Sequence, residues 1–348
     1  MNTERDKESI FELNREELNA ACTSLDAPRY RADQLWRWLY VQRAIEWEEM
    51  TNLPLAFRDR IAGHLDIKSA RVARVDGEKG RTRKLLLQLP DGALVETVLI
   101  VAQTRRTVCV SAQVGCKFGC TFCASGQGGF HSNLTHGQIV SQVILAGREF
   151  EESPTHVVFM GIGEPFDNYQ AVLQSIRTMN DNTGMNIGAR RITISTVGVV
   201  PGIEQLSKED LQVELSVSLH AATDEVRSKL MPINRRYPVS DLLAACSAYT
   251  RKTNRIITFE YSLMRNINDS EEQAHELVRI LLPLKCRVNL IRLNPIDEFE
   301  AEACPDSTAD MFIAILQKAG INTTYRNSRG RGINAACGQL RAQEMQDS

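Results

Sequence analysis

Residues 107–126 read TVCVSAQVGCKFGCTFCASG. The first six have the short, β-branched and apolar character of a strand. The rest sets Cys116, Cys120 and Cys123 in a C-x3-C-x2-C array, with Gly115 and Gly126 at its ends. Thiolate sulfur is the usual ligand of iron–sulfur clusters and structural zinc, and glycines at both ends let the backbone wrap closely around either. Three ligands leave both centres one short. Structural zinc wants a fourth, for which His131 and Cys109 are spare, whereas a four-iron cluster held by three cysteines keeps one iron open for another ligand.

The strand that feeds this loop is the first of a series. Further extended runs are THVVFMGIG, RRITISTVG, VELSVSLHA, RIITFEYSL and RVNLIRLNP, separated for the most part by helical patterns at 134–150, 168–180, 239–253, 270–282 and 308–319. Such alternation implies an α/β protein with parallel strands and right-handed crossovers. Six units are too few for an eight-fold barrel, so the reading is an open, partial (β/α)6 barrel. In this architecture the loops after the strands build the site. The cysteine loop belongs there, with 161–168 (GIGEPFDN), Ser195, Ser218, Leu219, His220 and Asn294.

Two other segments precede the barrel. The first ~70 residues follow helical spacing, notably at 33–40 (DQLWRWLY) and 55–65, with no convincing strand. Trp36, Trp38 and Trp47 can stack on bases, but aromatics at helical spacing belong more often to a core. Then RKLLLQL and ALVETVLIV flank Pro90-Asp91-Gly92, the pattern of a β-hairpin. Glu96, between apolar neighbours in the second run, reads as a side chain on the solvent face of an antiparallel strand. The division expected is 1–75 (helical accessory, RNA-binding), 76–102 (β extension) and 103–348 (barrel with the last cysteine segment).

Length bounds the chain at about two domains, and 348 residues with 43% hydrophobic can bury a sizeable core. The opening MNTERDKESIFELNREEL lacks an apolar signal core and no run approaches a membrane span, so a cytoplasmic protein is expected. Nine cysteines in a reducing compartment argue for metal binding or redox catalysis over a disulfide framework. Because net charge is only -2, a polyanionic partner must be met by local patches. Candidates are Lys79, Arg81, Arg83 and Lys84; Arg105 and Arg106; Arg190 and Arg191; and Arg326, Arg329 and Arg331, each of which taken alone reads more simply as a solvated face.

The cysteine array, with Phe122 before its last member, resembles the signature of radical S-adenosylmethionine (SAM) enzymes. That resemblance implies a 4Fe-4S cluster on Cys116, Cys120 and Cys123, whose open iron chelates the amino and carboxylate groups of SAM. Gly161-Ile162-Gly163-Glu164 resembles the superfamily's glycine-rich turn, which puts Gly163 and Glu164 at the SAM amino group. Ser195, Ser218, Leu219, His220 and Asn294 fall where its sugar and carboxylate are held. Read as residues alone, these are strand-end polar groups satisfying backbone. Of the other cysteines, Cys22 and Cys246 sit at helical core spacing and Cys286 and Cys304 lack context. Cys109 and Cys337 could both reach the mouth.

The runs CVSAQVGC, MGIGEP, EVRSKLMPIN, NLIRLNP and INAACGQL together resemble the RlmN/Cfr family of radical SAM RNA methyltransferases. The resemblance implies methylation of one adenosine in the peptidyl-transferase centre of 23S rRNA and, for RlmN members, of an adenosine beside the anticodon in some tRNAs. Adenine C2 and C8 lie between ring nitrogens and are poor nucleophiles, which is why a carbon radical is needed. The implied roles are Cys337 as methyl acceptor and covalent link to RNA, Cys109 as the thiol that resolves the link and leaves a Cys109–Cys337 disulfide, and Glu96 as proton acceptor. Two SAM are consumed per turnover, an electron donor such as flavodoxin or ferredoxin is implied, and a monomer is expected. Pro165 in GEPFDN resembles the RlmN form, hence C2. The alternatives are C8 methylation of the same rRNA adenosine and, in another class, a non-catalytic zinc or cluster RNA-binding protein. Arg331-Gly332-Ile333-Asn334 departs from the family's acidic pair and Ile-Asp, which bears on local loop geometry and RNA contacts.

Overall fold

Strand β6 (Arg105–Val110), which feeds the cysteine loop, lies within a ten-stranded sheet. A computed structural model describes residues 7–68, 70–102, 104–326, 330 and 333–340. Beyond β6 the strands run parallel in chain order: β9 (His156–Phe159), β10 (Ile192–Thr196), β11 (Glu214–Ser218), β12 (Ile257–Leu263), β13 (Cys286–Arg292) and β14 (Asn322–Arg326). The six expected βα units are present, and β14 adds a seventh strand. Its sequence NTTYR has no apolar run because it forms the edge of the sheet.

Alternate residues of each strand face opposite ways. Val108, Val110, Val157, Phe159, Leu215, Val217, Phe259 and Tyr261 join one apolar core beneath the helices. The other set, among them Cys109, Ser216, Glu260 and Asn289, lines the barrel interior. Helices α5 (His136–Phe150), α6 (Tyr169–Asn180), α7 (Val200–Leu206), α8 (Asp224–Leu230), α9 (Val239–Thr253), α10 (Glu271–Leu281) and α11 (Asp306–Lys318) provide the crossovers. Helix α5 starts at a capping box in which Thr135 accepts from the Gln138 N–H and the Gln138 side chain accepts from that of Thr135. From its buried face Gln142 accepts from Thr97 Oγ1 at 2.7 Å and Ser111 N at 2.8 Å, and donates to Ser111 O at 2.9 Å. A fully satisfied buried amide thereby fixes the start of the cysteine loop.

On the other edge the expected hairpin is β4 (Arg83–Gln88) with β5 (Leu94–Ala102), turning at Asp91 and Gly92. It continues the barrel sheet through β5–β6, and a further strand, β3 (Arg71–Asp76), pairs outside it. Charges at Arg71, Arg74 and Asp76 hide the alternation of β3, which therefore lies across the boundary drawn at 75. The helical region contains α1 (Arg15–Ser24), α2 (Tyr30–Arg37), which runs on into a π turn at Trp38–Gln42, and α3 (Leu55–Ala62). Its only strands among the described residues are the two-residue pair β1 (Glu8–Ser9) and β2 (Leu65–Asp66). Ile10, Phe11, Leu39 and Phe57 belong to the same core as the barrel's helix-facing residues. Trp36 is buried edge-on to Tyr40 at 4.3 Å, and Trp38 donates to Asn52 at 2.6 Å. Both tryptophans pack against this core.

Candidate active site

The cysteine loop is closed by the short antiparallel ribbon β7 (Gln113–Gly115) and β8 (Phe130–Asn133), then by the one-turn helix α4 (Ala124–Gln127). Cys116 N donates to Gly129 O at 2.8 Å. Cys120 packs among Leu230, Met231, Met264 and Leu293, with Phe118 and Phe122 alongside. Burial pushes the Cys116 thiol up to about 11 and Cys120 well above the usual thiol range, and the neighbouring sulfurs raise both further. Without a bound cation these thiols keep their protons, and a metal centre is what displaces them. Among the described residues no three His, Cys, Asp or Glu side chains converge on one point, as ligands of a single zinc at about 2.3 Å do. A four-iron cluster takes each thiolate on a separate iron and needs no fourth protein ligand. The spare ligands stand elsewhere: His131 is exposed on β8, and Cys109 faces the barrel interior from β6. The donor set fits a cluster held by three cysteines.

The GIGE turn follows β9. Gly163 has φ +95°, and a Cβ there would lie 2.5 Å from that of Gln113, so both conformation and space require glycine. Glu164 is almost wholly buried, and its carboxylate accepts from Phe166 N at 3.0 Å and Val197 N at 2.8 Å. Its side chain ties the loop after β9 to that after β10, so the turn offers a ligand its backbone. Burial raises the Glu164 pKa to about 7.

After β11, Leu219 N donates to Glu260 O at 3.0 Å, and the Leu219 side chain lies in the core. His220 adopts φ +55°, accepts from Ser262 N at Nδ1 (2.9 Å) and packs edge-on to Phe122 at 4.7 Å. Burial, and then the charge of Arg227, lowers its pKa to about 3. The ring is neutral, with its proton on Nε2. Ser195 and Ser218 are half-buried at the ends of β10 and β11.

Residues 333–340 fold back over this mouth. Asn294 Nδ2 donates to Cys337 O at 3.0 Å, Ala124 N to Gly338 O at 2.8 Å, Ser125 Oγ to Leu340 O at 2.7 Å, and Gln339 Nε2 to Pro295 O at 3.1 Å. Gly338 takes φ +82°, where a Cβ would come 3.3 Å from Phe122 O. Cys109 is buried with Val98, Ile162, Ala335 and Leu340. Cys337 is exposed, although protein walls it on most sides, and those walls push its thiol up to about 11, with Glu260 adding to and Arg326 opposing the shift. Burial raises Cys109 too, and Cys337 is the charge acting on it. The first and last parts of the barrel thus bring both thiols to the mouth that holds the cysteine loop.

Glu96 does not face solvent. It is 2% exposed, on the interior face with Val98 and Cys109, and its Oε1 lies 2.7 Å from Lys84 Nζ. The alternation in β5 is real, but both faces are covered. Nor is the 79–84 quartet a positive face. Lys84 is committed to Glu96, Arg83 is buried on the opposite side against Glu149 at 3.2 Å, and Lys79 and Arg81 pair with Glu151 and Glu78. Arg106 pairs with Glu152 and Arg190 with Gln212. Arg329 and Arg331, with Gly332, lie outside the described residues. Sequence reasoning read Lys84 as part of a surface patch and missed Arg227 and Glu260. Only Glu260 carries a signal, a charge within the apolar run IITFEYSL; Arg227 stands among charged neighbours in DEVRSKL.

Residues 110–278 match the model of the radical SAM superfamily, and residues 9–67 that of the ribosomal RNA large subunit methyltransferase N-terminal domain. The chain is 46% identical over 335 residues to the probable dual-specificity RNA methyltransferase RlmN of Moorella thermoacetica, covering 94% of this chain and 95% of that protein. It is 45% identical over 337 residues to that of Dictyoglomus thermophilum, covering 96% and 97%. A crystal structure of a radical SAM methyltransferase from Sphaerobacter thermophilus superposes with TM-score 0.94 at 45% identity, covering 97% of this chain and 100% of the other.

Proposed function

This chain belongs to the RlmN family of radical SAM RNA methyltransferases, and from that premise we propose that it methylates C2 of an adenosine in the peptidyl-transferase centre of 23S rRNA and C2 of an adenosine next to the anticodon in tRNAs. The observation that carries this reading is that Cys109, packed with Ala335 and Leu340, and Cys337, whose carbonyl is held by Asn294, come from distant parts of the sequence to the mouth that holds Cys116, Cys120 and Cys123.

Cys116, Cys120 and Cys123 would hold a 4Fe-4S cluster; of two SAM used per turnover, one would supply the methyl group and the other, with an electron from the cluster, a carbon radical. The backbone of Gly163 and Glu164, with Ser195, Ser218, Leu219, His220 and Asn294, holds SAM. Cys337 accepts the methyl at sulfur as thiolate, then carries the one-carbon unit to C2 and joins enzyme to RNA. Glu96 takes the C2 proton at its carboxylate. Cys109, as thiolate, attacks the Cys337 sulfur; the sulfur–carbon bond to RNA breaks with its electron pair left on the carbon, which takes up a proton to become the methyl group, and a Cys109–Cys337 disulfide remains to be reduced. Exposure supports this division of labour: Cys337 meets solvent, where a substrate arrives, and Cys109 lies behind it. The protein works in the cytoplasm as a monomer, with electrons from a carrier such as flavodoxin or ferredoxin.

Mass spectrometry of RNA nucleosides from cells with and without the gene tests the reading. Loss of 2-methyladenosine from 23S rRNA and tRNA is expected; loss of 8-methyladenosine instead reassigns the carbon, and no change in either rejects the function. Iron and sulfide analysis with assay of 5′-deoxyadenosine separates an enzyme from a non-catalytic RNA-binding protein.

A further inference from the structure

Arg227, on α8 within EVRSKLMPIN, is the largest side chain among the described residues that is sealed completely from solvent. Its guanidinium donates four hydrogen bonds. Nε reaches Leu219 O at 3.1 Å, Nη1 reaches Asn234 Oδ1 at 3.0 Å, and Nη2 reaches Val197 O at 2.7 Å and Ser218 O at 3.1 Å. All four acceptors are uncharged. The nearby carboxylate, Asp224, stands one layer away, where its Oδ1 accepts from Asn234 Nδ2 at 2.9 Å and Val239 N at 2.8 Å. Neutral acceptors compensate a buried cation only in part, and a buried charge without a counter-charge is costly.

The missing anion has an obvious place. Thr121 N donates to Leu230 O at 3.0 Å, one helical turn beyond Arg227, and Met231 N donates to Arg227 O at 2.7 Å. Cys120 packs on Leu230 and Met231, the last residue of α8 and the one after it, so the ligand loop lies against the helix that carries Arg227. A four-iron cluster on three thiolates is a net anion, and it gains one further negative charge on reduction. Net charge and nearby dipoles set the potential of such centres.

We propose that Arg227 is the internal counter-charge of the iron–sulfur centre on Cys116, Cys120 and Cys123, favouring its reduced form, and a positioning residue that fixes the loops after β10 and β11 against it. This rests on the reading of the three cysteines as cluster ligands. One side chain thereby couples the reducing centre to the loops assigned to SAM. The carbonyls of Val197, Ser218 and Leu219 converge on one fork, which a lysine's single ammonium cannot match.

The test uses the full-length chain, reconstituted anaerobically with iron and sulfide and titrated electrochemically under EPR. In Arg227→Gln the oxidised-to-reduced ratio is expected to rise about tenfold at a given potential, a midpoint roughly 59 mV more negative for one electron. Arg227→Lys keeps the charge, so its midpoint should stay near that of the wild type, while equilibrium dialysis shows SAM bound at least about tenfold more weakly. A Gln variant with wild-type iron and sulfide content and an unchanged midpoint overturns the proposal. If Gln prevents folding, the Lys variant decides, because a tenfold fall in its reduction equilibrium would show that charge is not the operative property. A wild-type chain that takes up no iron and sulfide sinks the cluster reading itself.

Discussion

Lys84 Nζ lies 2.7 Å from Glu96 Oε1, and neither side chain is more than one-tenth exposed. The two strands that carry them, β4 and β5, set both on the interior face that also bears Cys109. Either charge alone on that face would be a buried ion without its partner.

Removing one partner should therefore cost more than removing both. Lys84→Met is expected to destabilise the protein by about 3 kcal/mol, since it strands a buried carboxylate. Adding Glu96→Gln should recover part of that loss. Urea midpoints of the two single variants and the double variant close the cycle, and strict additivity would mean the pair is not coupled.

The basic quartet should split in two. Lys79→Gln and Arg81→Gln alter exposed, solvent-screened pairs, so each should move stability by less than about 0.5 kcal/mol. Arg83→Gln leaves Glu149 without its buried guanidinium partner and should cost about 2 kcal/mol. Thermal midpoints measured side by side check this ordering, and similar values for all three variants would contradict it.

Cys109→Ala and Cys337→Ala should fail at different stages. Without Cys337 no S-methylcysteine and no adduct form. Without Cys109 the methyl still loads and the RNA stays tethered. Denaturing gels of Cys109→Ala expressed in cells, run before and after ribonuclease treatment, should show a slow, nuclease-sensitive species. Its absence, with S-methylcysteine found at Cys337, removes Cys109 from the resolving role.

Buried histidines set part of the pH dependence. Burial lowers His136 to about 4 and His220 to about 3, from 6.5. Between those values and 6.5 the unfolded chain binds protons that the folded chain refuses. Their stability contribution is thus complete above about pH 6.5 and is lost as pH falls. Glu164, raised from 4.5 to about 7, opposes them: the folded chain holds its proton, and that contribution disappears as pH rises through the same window. Against this background His136→Gln should lose about 2 kcal/mol less than wild type between pH 7 and pH 5. Equal losses in urea melts at the two pH values would show that His136 is not held neutral.

Local pattern was enough for the cysteine array, the six βα units and the helical region, because each is written in spacing a few residues long. What escaped depends on what lies across the sheet. Glu96 was read as solvent-facing because alternation says which residues share a face but not what covers it; here α5 covers one side and residues 333–340 the other. Lys84 and Arg83 are adjacent in sequence, and in a strand that places them on opposite faces, so a charge run became two buried pairs. The seventh strand carries Thr324, which donates to Asn289 Oδ1 at 2.5 Å; polar barrel interiors erase the hydrophobic signal that marks a strand.

The hydrogen bonds from Ala124 to Gly338 and from Ser125 to Leu340 also order events during synthesis. Cys337 leaves the ribosome after every strand of the barrel, whereas Cys116, Cys120 and Cys123 emerge early. Contacts between segments so far apart carry a high closure cost and form late in folding. For that interval the nascent chain displays a metal-binding loop whose flank is bare. The thiol proposed as methyl acceptor is the last part of the site to arrive, so the centre can be assembled before anything stands beside it to react.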